Sequence, residues 1–235
     1  MIPISDDTPS RRTPVITWLI ILACVLAYVW EVGLGRQMES ALNVLGFTPA
    51  SLLGHGSAPS EALGIPAAAT ILISMFLHGS LLHLGGNMLY LYIFGNNIED
   101  GMGHFRFLLF YLAAGIAAAL TMAYADPVSR VPMVGASGAI SGVLAAYILL
   151  FPRARVTVII PLGIIFWPFR ISAFWVVGLW FITQLVTAAL TDPTQPGVAW
   201  WAHVGGFVAG LLLTPFFKSA RVPYFGPVAT RGPWG

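Results

Sequence analysis

Charge is what this sequence has least of. Only 9% of its 235 residues are Asp, Glu, Lys or Arg, against roughly a quarter in soluble domains, and 57% are hydrophobic. So few charges cannot clothe a water-soluble surface, so lipid is the solvent for most of the chain. The net charge of +2, spread thinly, excludes a nucleic-acid binder. The single cysteine, Cys24, excludes an intramolecular disulfide, and its apolar surroundings make it a packing residue rather than a reactive thiol. No period of about 20–50 residues recurs, so there is no repeat array. His-Glu-x-x-His is absent, and no Asp, Glu or Cys stands near His78 and His83 within their segment. A membrane metalloprotease is thereby disfavoured, and no metal or other cofactor is implied.

What is present is a series of apolar windows. A membrane helix takes about 20 apolar residues, within a range of about 17–25. The uncharged windows 13–30, 107–125, 131–152 and 171–191 fit. The first is longer than the about 7–15 residues of a signal-peptide core and reads as a retained span. The uncharged stretch 62–98 would make one helix ~55 Å long against a ~30 Å hydrocarbon core. A span is therefore expected at 81–98, preceded by an irregular or interfacial segment. The last window, 193–217, opens on Pro193, Pro196 and Gly197, so its helix is expected to start near Trp200. The stretch 155–170 is short and broken by Pro161, Gly163 and Pro168, and reads as an interfacial loop. The expectation is an all-α polytopic membrane protein, a six-span bundle over 13–218 between cytoplasmic tails at 1–12 and 219–235.

Six is even, so both termini share a side. With the N-terminus inside, inner segments carry Arg11, Arg12, Arg106, Arg153, Arg155, Arg170, Lys218, Arg221 and Arg231, and outer segments only Arg36 and Arg130. That asymmetry satisfies the positive-inside rule. Short tails without a transit-type segment favour a bacterial inner membrane.

Polar groups inside a membrane mark function by default. The second span opens with His78-Gly-Ser-Leu-Leu-His83-Leu-Gly-Gly-Asn87, the fourth with Gly135-Ala-Ser137-Gly138, and the sixth with Trp201-Ala-His203-Val-Gly-Gly206. All three spans run from outside to inside, so the three clusters lie at similar depth. A serine hydroxyl needs an adjacent base, and His203 is the histidine on another span outside the His83/Asn87 cluster. Gly138 and Gly142, like Gly206 and Gly210, stand four apart and permit close helix approach. His83 and Asn87 share one helical face and can donate hydrogen bonds to an oxyanion. Taken singly, Ser137 is a helix cap and His203 or His78 a structural hydrogen-bonder. Glu99 and Asp100 read as a solvated helix-end pair, His55 and His104 as solvated residues, and Trp200 and Trp201 as interfacial aromatics. The clusters gain weight only together.

From about residue 13 to 217 the chain resembles the rhomboid family of intramembrane serine proteases. The likeness rests on His78 to Asn87, on Gly135-Ala-Ser137-Gly138, on Ala202-His203-Val-Gly-Gly206-Phe-Val-Ala-Gly210, and on Phe94-Gly-Asn-Asn-Ile-Glu99-Asp-Gly-Met-Gly103. The resemblance implies Ser137 as nucleophile and His203 as base. It implies an oxyanion site of His83, Asn87 and the Ser137 backbone N–H, with His78, Gly135, Gly138, Gly206 and Gly210 structural beside it. Substrates would be transmembrane proteins, cut near the outer ends of their helices within the lipid bilayer. The loop 191–199 would cap the site. Some members carry a tyrosine four residues after the nucleophile, stacked on the base. Here Ser141 holds that place, so His203 must be supported from elsewhere. Asp126 and Asp192 lie on the outer side but in loops, which makes either a poor partner. A non-catalytic rhomboid-like client binder is the alternative, opposed by the presence of both nucleophile and base. A transporter would be expected to show repeats or broken midplane helices, and neither is evident.

Overall fold

The computed structural model describes residues 2–57, 59–162, 165–191 and 198–226. The protein is an all-α polytopic membrane protein in its bulk. Its long helices are α1 (Val15–Gly33), α5 (Leu81–Met102), α6 (His104–Ala125), α7 (Ser137–Leu150), α8 (Ala173–Leu190) and α9 (Trp200–Phe217). Between α1 and α5 lie three short helices, α2 (Met38–Leu45), α3 (Pro49–Leu52) and α4 (Ala67–Ser74), of which α4 falls in the segment before residue 81 expected to be irregular or interfacial. Among the described residues, four helices are long and apolar enough to cross a membrane: α1, α6, α8 and α9. The other two long helices of the expected six fall short for different reasons. α5 has 22 residues but carries His83, Asn87, Asn96, Asn97, Glu99 and Asp100. α7 has 14 residues, which at 1.5 Å per residue reach only ~21 Å.

Burial patterns explain the arrangement. On α1 the buried residues are Thr17, Ile20, Cys24 and Glu31, a spacing that marks one narrow helical stripe. Trp18, Leu19, Leu22, Leu26 and Val29 point outward, as befits a helix whose other faces meet lipid. Cys24 is fully buried and free. α7 is the reverse case: every residue from Ala139 to Tyr147 is buried, so it forms the axis of the bundle. Small residues let its neighbours close in. A Cβ added to Gly206 would stand 2.0 Å from the Gly138 carbonyl oxygen, and one on Gly210 2.4 Å from that of Gly142. On the other flank, a Cβ at Gly142 would meet Ala114 Cβ at 2.5 Å. Helices α6, α7 and α9 thus touch nearly backbone to backbone, the packing mode available to helices that gain nothing from the hydrophobic effect in lipid.

Two expectations are corrected at the end of the bundle where α1 begins. The stretch read as an interfacial loop is a hairpin of β2 (Arg155–Leu162) and β3 (Ile165–Ser172), and β1 (Ile2–Asp6) adds antiparallel to β2 in the order β1-β2-β3. β-Branched residues dominate β2, and Pro168 is tolerated because β3 is an edge strand. Glu99 is no solvated helix end. It is 1% exposed, and its carboxylate accepts the N–H groups of Ile16 and Thr17 at 2.8 Å each and the Thr17 hydroxyl at 2.7 Å. It therefore caps the first turn of α1 from another helix, where the unpaired N–H groups and the dipole favour an anion. His104 is exposed, as expected, and also bonds the same carboxylate through Nδ1. His55 is exposed, as expected.

Candidate active site

Gly135 fixes the entrance to α7. Its φ of +119° is a left-handed value that favours glycine, and its N–H donates to the Ser74 carbonyl at 2.8 Å. A Cβ there would stand 2.7 Å from His83 Cε1 and Nε2 and 3.5 Å from Asn87 Nδ2. The backbone two residues before Ser137 is thus pressed against the His83/Asn87 face of α5. Ser137 then occupies the first position of α7, where backbone N–H groups have no intrahelical acceptor.

His203, on the first turn of α9, is 8% exposed. Its Nε2 lies 2.8 Å from Ser137 Oγ, and its Nδ1 lies 2.7 Å from Gln184 Oε1 on α8. The Gln184 amide is itself oriented, since its Nε2 donates to the Trp180 carbonyl at 3.3 Å and to Thr183 Oγ1 at 3.2 Å. The oxygen must then face His203, and an oxygen can only accept. Nδ1 carries the proton, which leaves the Nε2 lone pair to receive the Ser137 O–H. The Trp180 and Trp200 rings flank the imidazole with centroids 6.0 and 5.9 Å away, so Trp200, expected to be an interfacial aromatic, is a neighbour of His203. Ser141, where some family members carry tyrosine, donates to the Ser137 carbonyl at 2.7 Å and does not bond the ring, whose two nitrogens meet Gln184 and Ser137. Of the two loop aspartates, Asp126 is buried with Oδ2 unbonded among the described residues and is not the ring's partner; Asp192 lies outside the described residues.

His78 is fully buried. Its ring lies edge-on to that of His83, centroids 5.2 Å apart, and its Nδ1 is 3.1 Å from the Phe76 carbonyl. Its backbone N–H is held by both carboxyl oxygens of Glu31, at 3.1 and 3.3 Å, so α1 anchors the segment leading into α5. Among the described residues, Asn87 Nδ2 is buried without a hydrogen-bond partner. A cavity of about 470 Å³ opens beside these groups, lined by Ser137, His203, His83, Met75, Gly115 and Trp201 among others. The expected cap at 191–199 falls mostly outside the described residues, with only Thr191, Val198 and Ala199 placed on the rim.

Sequence reasoning missed Gln184 and Glu31. Both carried a readable signal: each is a polar side chain inside or at the edge of an apolar window, where such groups need a reason.

Comparison with known proteins bears on the same region. The family model described as the Rhomboid domain matches residues 67–220. The chain is 30% identical over 155 residues to the rhomboid protease AarA of Providencia stuartii, covering 60% of this chain and 53% of that protein. It is 33% identical over 163 residues to rhomboid protein 1, mitochondrial, of Saccharomyces cerevisiae, covering 66% and 44%. It is also 33% identical over 134 residues to the rhomboid protease GluP of Bacillus subtilis, covering 57% and 24%. The chain thus spans about half or less of the length of these relatives. The matched region holds α4 to α9, and with them Ser137, His203, His83, Asn87 and Gln184, so the chain belongs to the rhomboid family.

Proposed function

We propose that this protein is an intramembrane serine endopeptidase that cuts transmembrane substrates near the outer ends of their helices. The observation that carries the reading is the contact of Ser137 Oγ with His203 Nε2 at 2.8 Å, within reach for proton transfer. Ser137 attacks the scissile carbonyl as His203 Nε2 takes its proton. The tetrahedral oxyanion forms beside the Ser137 backbone N–H, the His83 ring and the buried Asn87 amide, whose Nδ2 has no other partner among the described residues. Donors held ready for developing charge lower the barrier most where water is excluded. The imidazolium returns its proton to the leaving amine, and water, activated by the same ring, releases the acyl-enzyme. The chemistry is completed by this chain's own side chains and one water.

The same reading takes α5 and α7 as two further spans, giving six, with both termini cytoplasmic and the 13–218 region as the protease domain. α7 tolerates its shortness because it lies inside the bundle, and α5 tolerates its polarity because Asn87, Asn97 and Glu99 are buried while Leu81, Leu82 and Tyr92 face outward. Ser137 at the outer end of a short axial helix then sits below the membrane surface.

The test is cleavage of a transmembrane substrate by the purified protein in vesicles, alongside labelling by a fluorophosphonate or isocoumarin. Ser137→Ala is expected to abolish both. Equal cleavage by Ser137→Ala overturns the reading, and a parent protein that labels no better than Ser137→Ala is a client binder instead.

A further inference from the structure

The β2–β3 hairpin gathers charge in a way the protease reading does not use. Arg153, Arg155 and Arg170 line one open groove of about 750 Å³ with Pro152, Ser172 and Trp175. The strand register sets Arg155 opposite Ser172 and Arg170 opposite Thr157. Residues two apart on a strand share a face, so Arg155 and Arg170 are diagonal neighbours on one face, with backbones about 7–8 Å apart. Arg153 enters the same groove two residues earlier. All three are exposed, and among the described residues none forms an ion pair. Asp7, the carboxylate that reaches Arg155, takes its backbone N–H at 2.8 Å. Three arginines line one groove, and the one carboxylate at its edge is engaged by a backbone N–H rather than by a guanidinium, an arrangement that favours an anion between them.

The surroundings say where that anion comes from. α8 begins at Ala173, directly after β3, and is one of the four helices fit to cross a membrane. Trp167, Phe174 and Trp175 are exposed at 59%, 51% and 58%, the kind of aromatic girdle found at headgroup level. A groove with guanidinium groups within and bare aromatic rings at its margin suits an amphiphile with an anionic head.

We propose that this groove binds the phosphate headgroup of an anionic phospholipid of the cytoplasmic leaflet. Guanidinium forks match phosphate oxygens in pairs, and the anionic inner leaflet supplies the ligand at high local concentration. The acyl chains run past Phe174 and Trp175 along α8. The assignment rests on the membrane orientation proposed above and is independent of the catalytic step.

Full-length Ser137→Ala protein in neutral detergent tests it without any contribution from proteolysis. Phosphatidylglycerol, phosphatidylcholine or inorganic phosphate is added, and melting temperature and retained lipid (by native mass spectrometry) are measured. Phosphatidylglycerol is expected to stay bound and raise the melting temperature, with phosphatidylcholine and phosphate inert. Arg155→Gln and Arg170→Gln are each expected to weaken phosphatidylglycerol binding about fivefold, and Arg36→Gln, on the opposite side, not at all. The proposal is overturned if phosphatidylcholine matches phosphatidylglycerol, if phosphate alone gives the full shift, or if Arg36→Gln weakens binding as much as the groove variants. Should Arg155→Gln fail to fold, Arg170→Gln and Arg153→Gln on the edge of the groove carry the same expectation. Loss of cleavage by the parent protein, with lipid binding intact, would count against the protease reading alone.

Discussion

Replacing Gln184 by methionine removes the oxygen that accepts the His203 Nδ1–H at 2.7 Å while keeping most of the side-chain volume. Gln184 and His203 are 6% and 8% exposed, so bulk water does not readily replace the lost acceptor. Leaving one buried partner of a hydrogen bond unsatisfied costs about 1–3 kcal/mol. Here the cost falls on the proton placement that catalysis needs: without an acceptor at Nδ1, the imidazole can turn or adopt the tautomer that points N–H at Ser137. At 1.36 kcal/mol per tenfold, kcat is expected to drop by about 5- to 150-fold. KM should hardly move, because Gln184 does not line the cavity. Gln184→Glu keeps an acceptor at the same reach and is expected to recover a large part of the loss. The assay is cleavage of a fluorogenic transmembrane substrate in vesicles, with melting temperatures measured in parallel to show that each variant is folded. A folded Gln184→Met that cleaves at the parent rate refutes the reasoning, as does an effect confined to KM.

Three further outcomes follow from the packing and the caps. Gly206→Ala places a methyl where the Gly138 carbonyl oxygen already stands; α7 and α9 must separate, with a stability loss of about 1–3 kcal/mol and loss of cleavage, and unchanged melting with full activity would contradict it. Glu99→Ala strips the cap from the Ile16 and Thr17 N–H groups and is expected to cost about 2–5 kcal/mol, read as a lower melting temperature and faster proteolysis ahead of α1; a melting curve matching the parent's would count against it. Burial raises the Asp6 carboxyl above its ordinary value, with hydrogen bonds from Tyr147 and Thr8 pulling the other way. The folded state therefore holds that proton more tightly than the unfolded one, and this contribution to stability is present at low pH and lost as pH rises through the raised value. Asp6→Asn, which carries no charge, should melt higher than the parent at neutral pH, the gap closing in acid; a gap that widens in acid would reverse the sign.

How far the sequence discloses this protein depends on the range of each interaction. The windows for α1, α6, α8 and α9 are legible because a run of apolar residues has one stable solution in lipid, and the expected start of the last helix near Trp200 matches α9 to the residue. The placement of Ser137, His203, His83 and Asn87 at helix beginnings is legible too, since charge asymmetry orients the spans and the polar motifs then fall at one depth. The hairpin was not. Pro161, Gly163 and Pro168 read as breakers in a segment too short to span, but the partner that makes β2 a central strand is β1, more than 140 residues away in sequence, and no local pattern announces a pairing at that separation.

Glu99 and Gln184 show the same limit in chemical form. At the end of α5 a carboxylate is dipole-unfavourable for its own helix, and the sequence alone suggests only solvation. The structure sets that carboxylate against the positive end of α1, so a residue unfavourable in its own helix becomes a cap for another. Gln184 stands among apolar residues on α8, and a neutral amide carries none of the charge that marks the loop residues Asp126 and Asp192 as candidate partners. A neutral amide is the better fit at this depth. It fixes which ring nitrogen holds the proton without introducing a second charge that the low-dielectric interior would have to accommodate. With serine at position 141, the proposed base is supported differently: the His203 ring is held by the Gln184 hydrogen bond on its far side, and the space beside Ser137 is left to a serine that bonds its own helix.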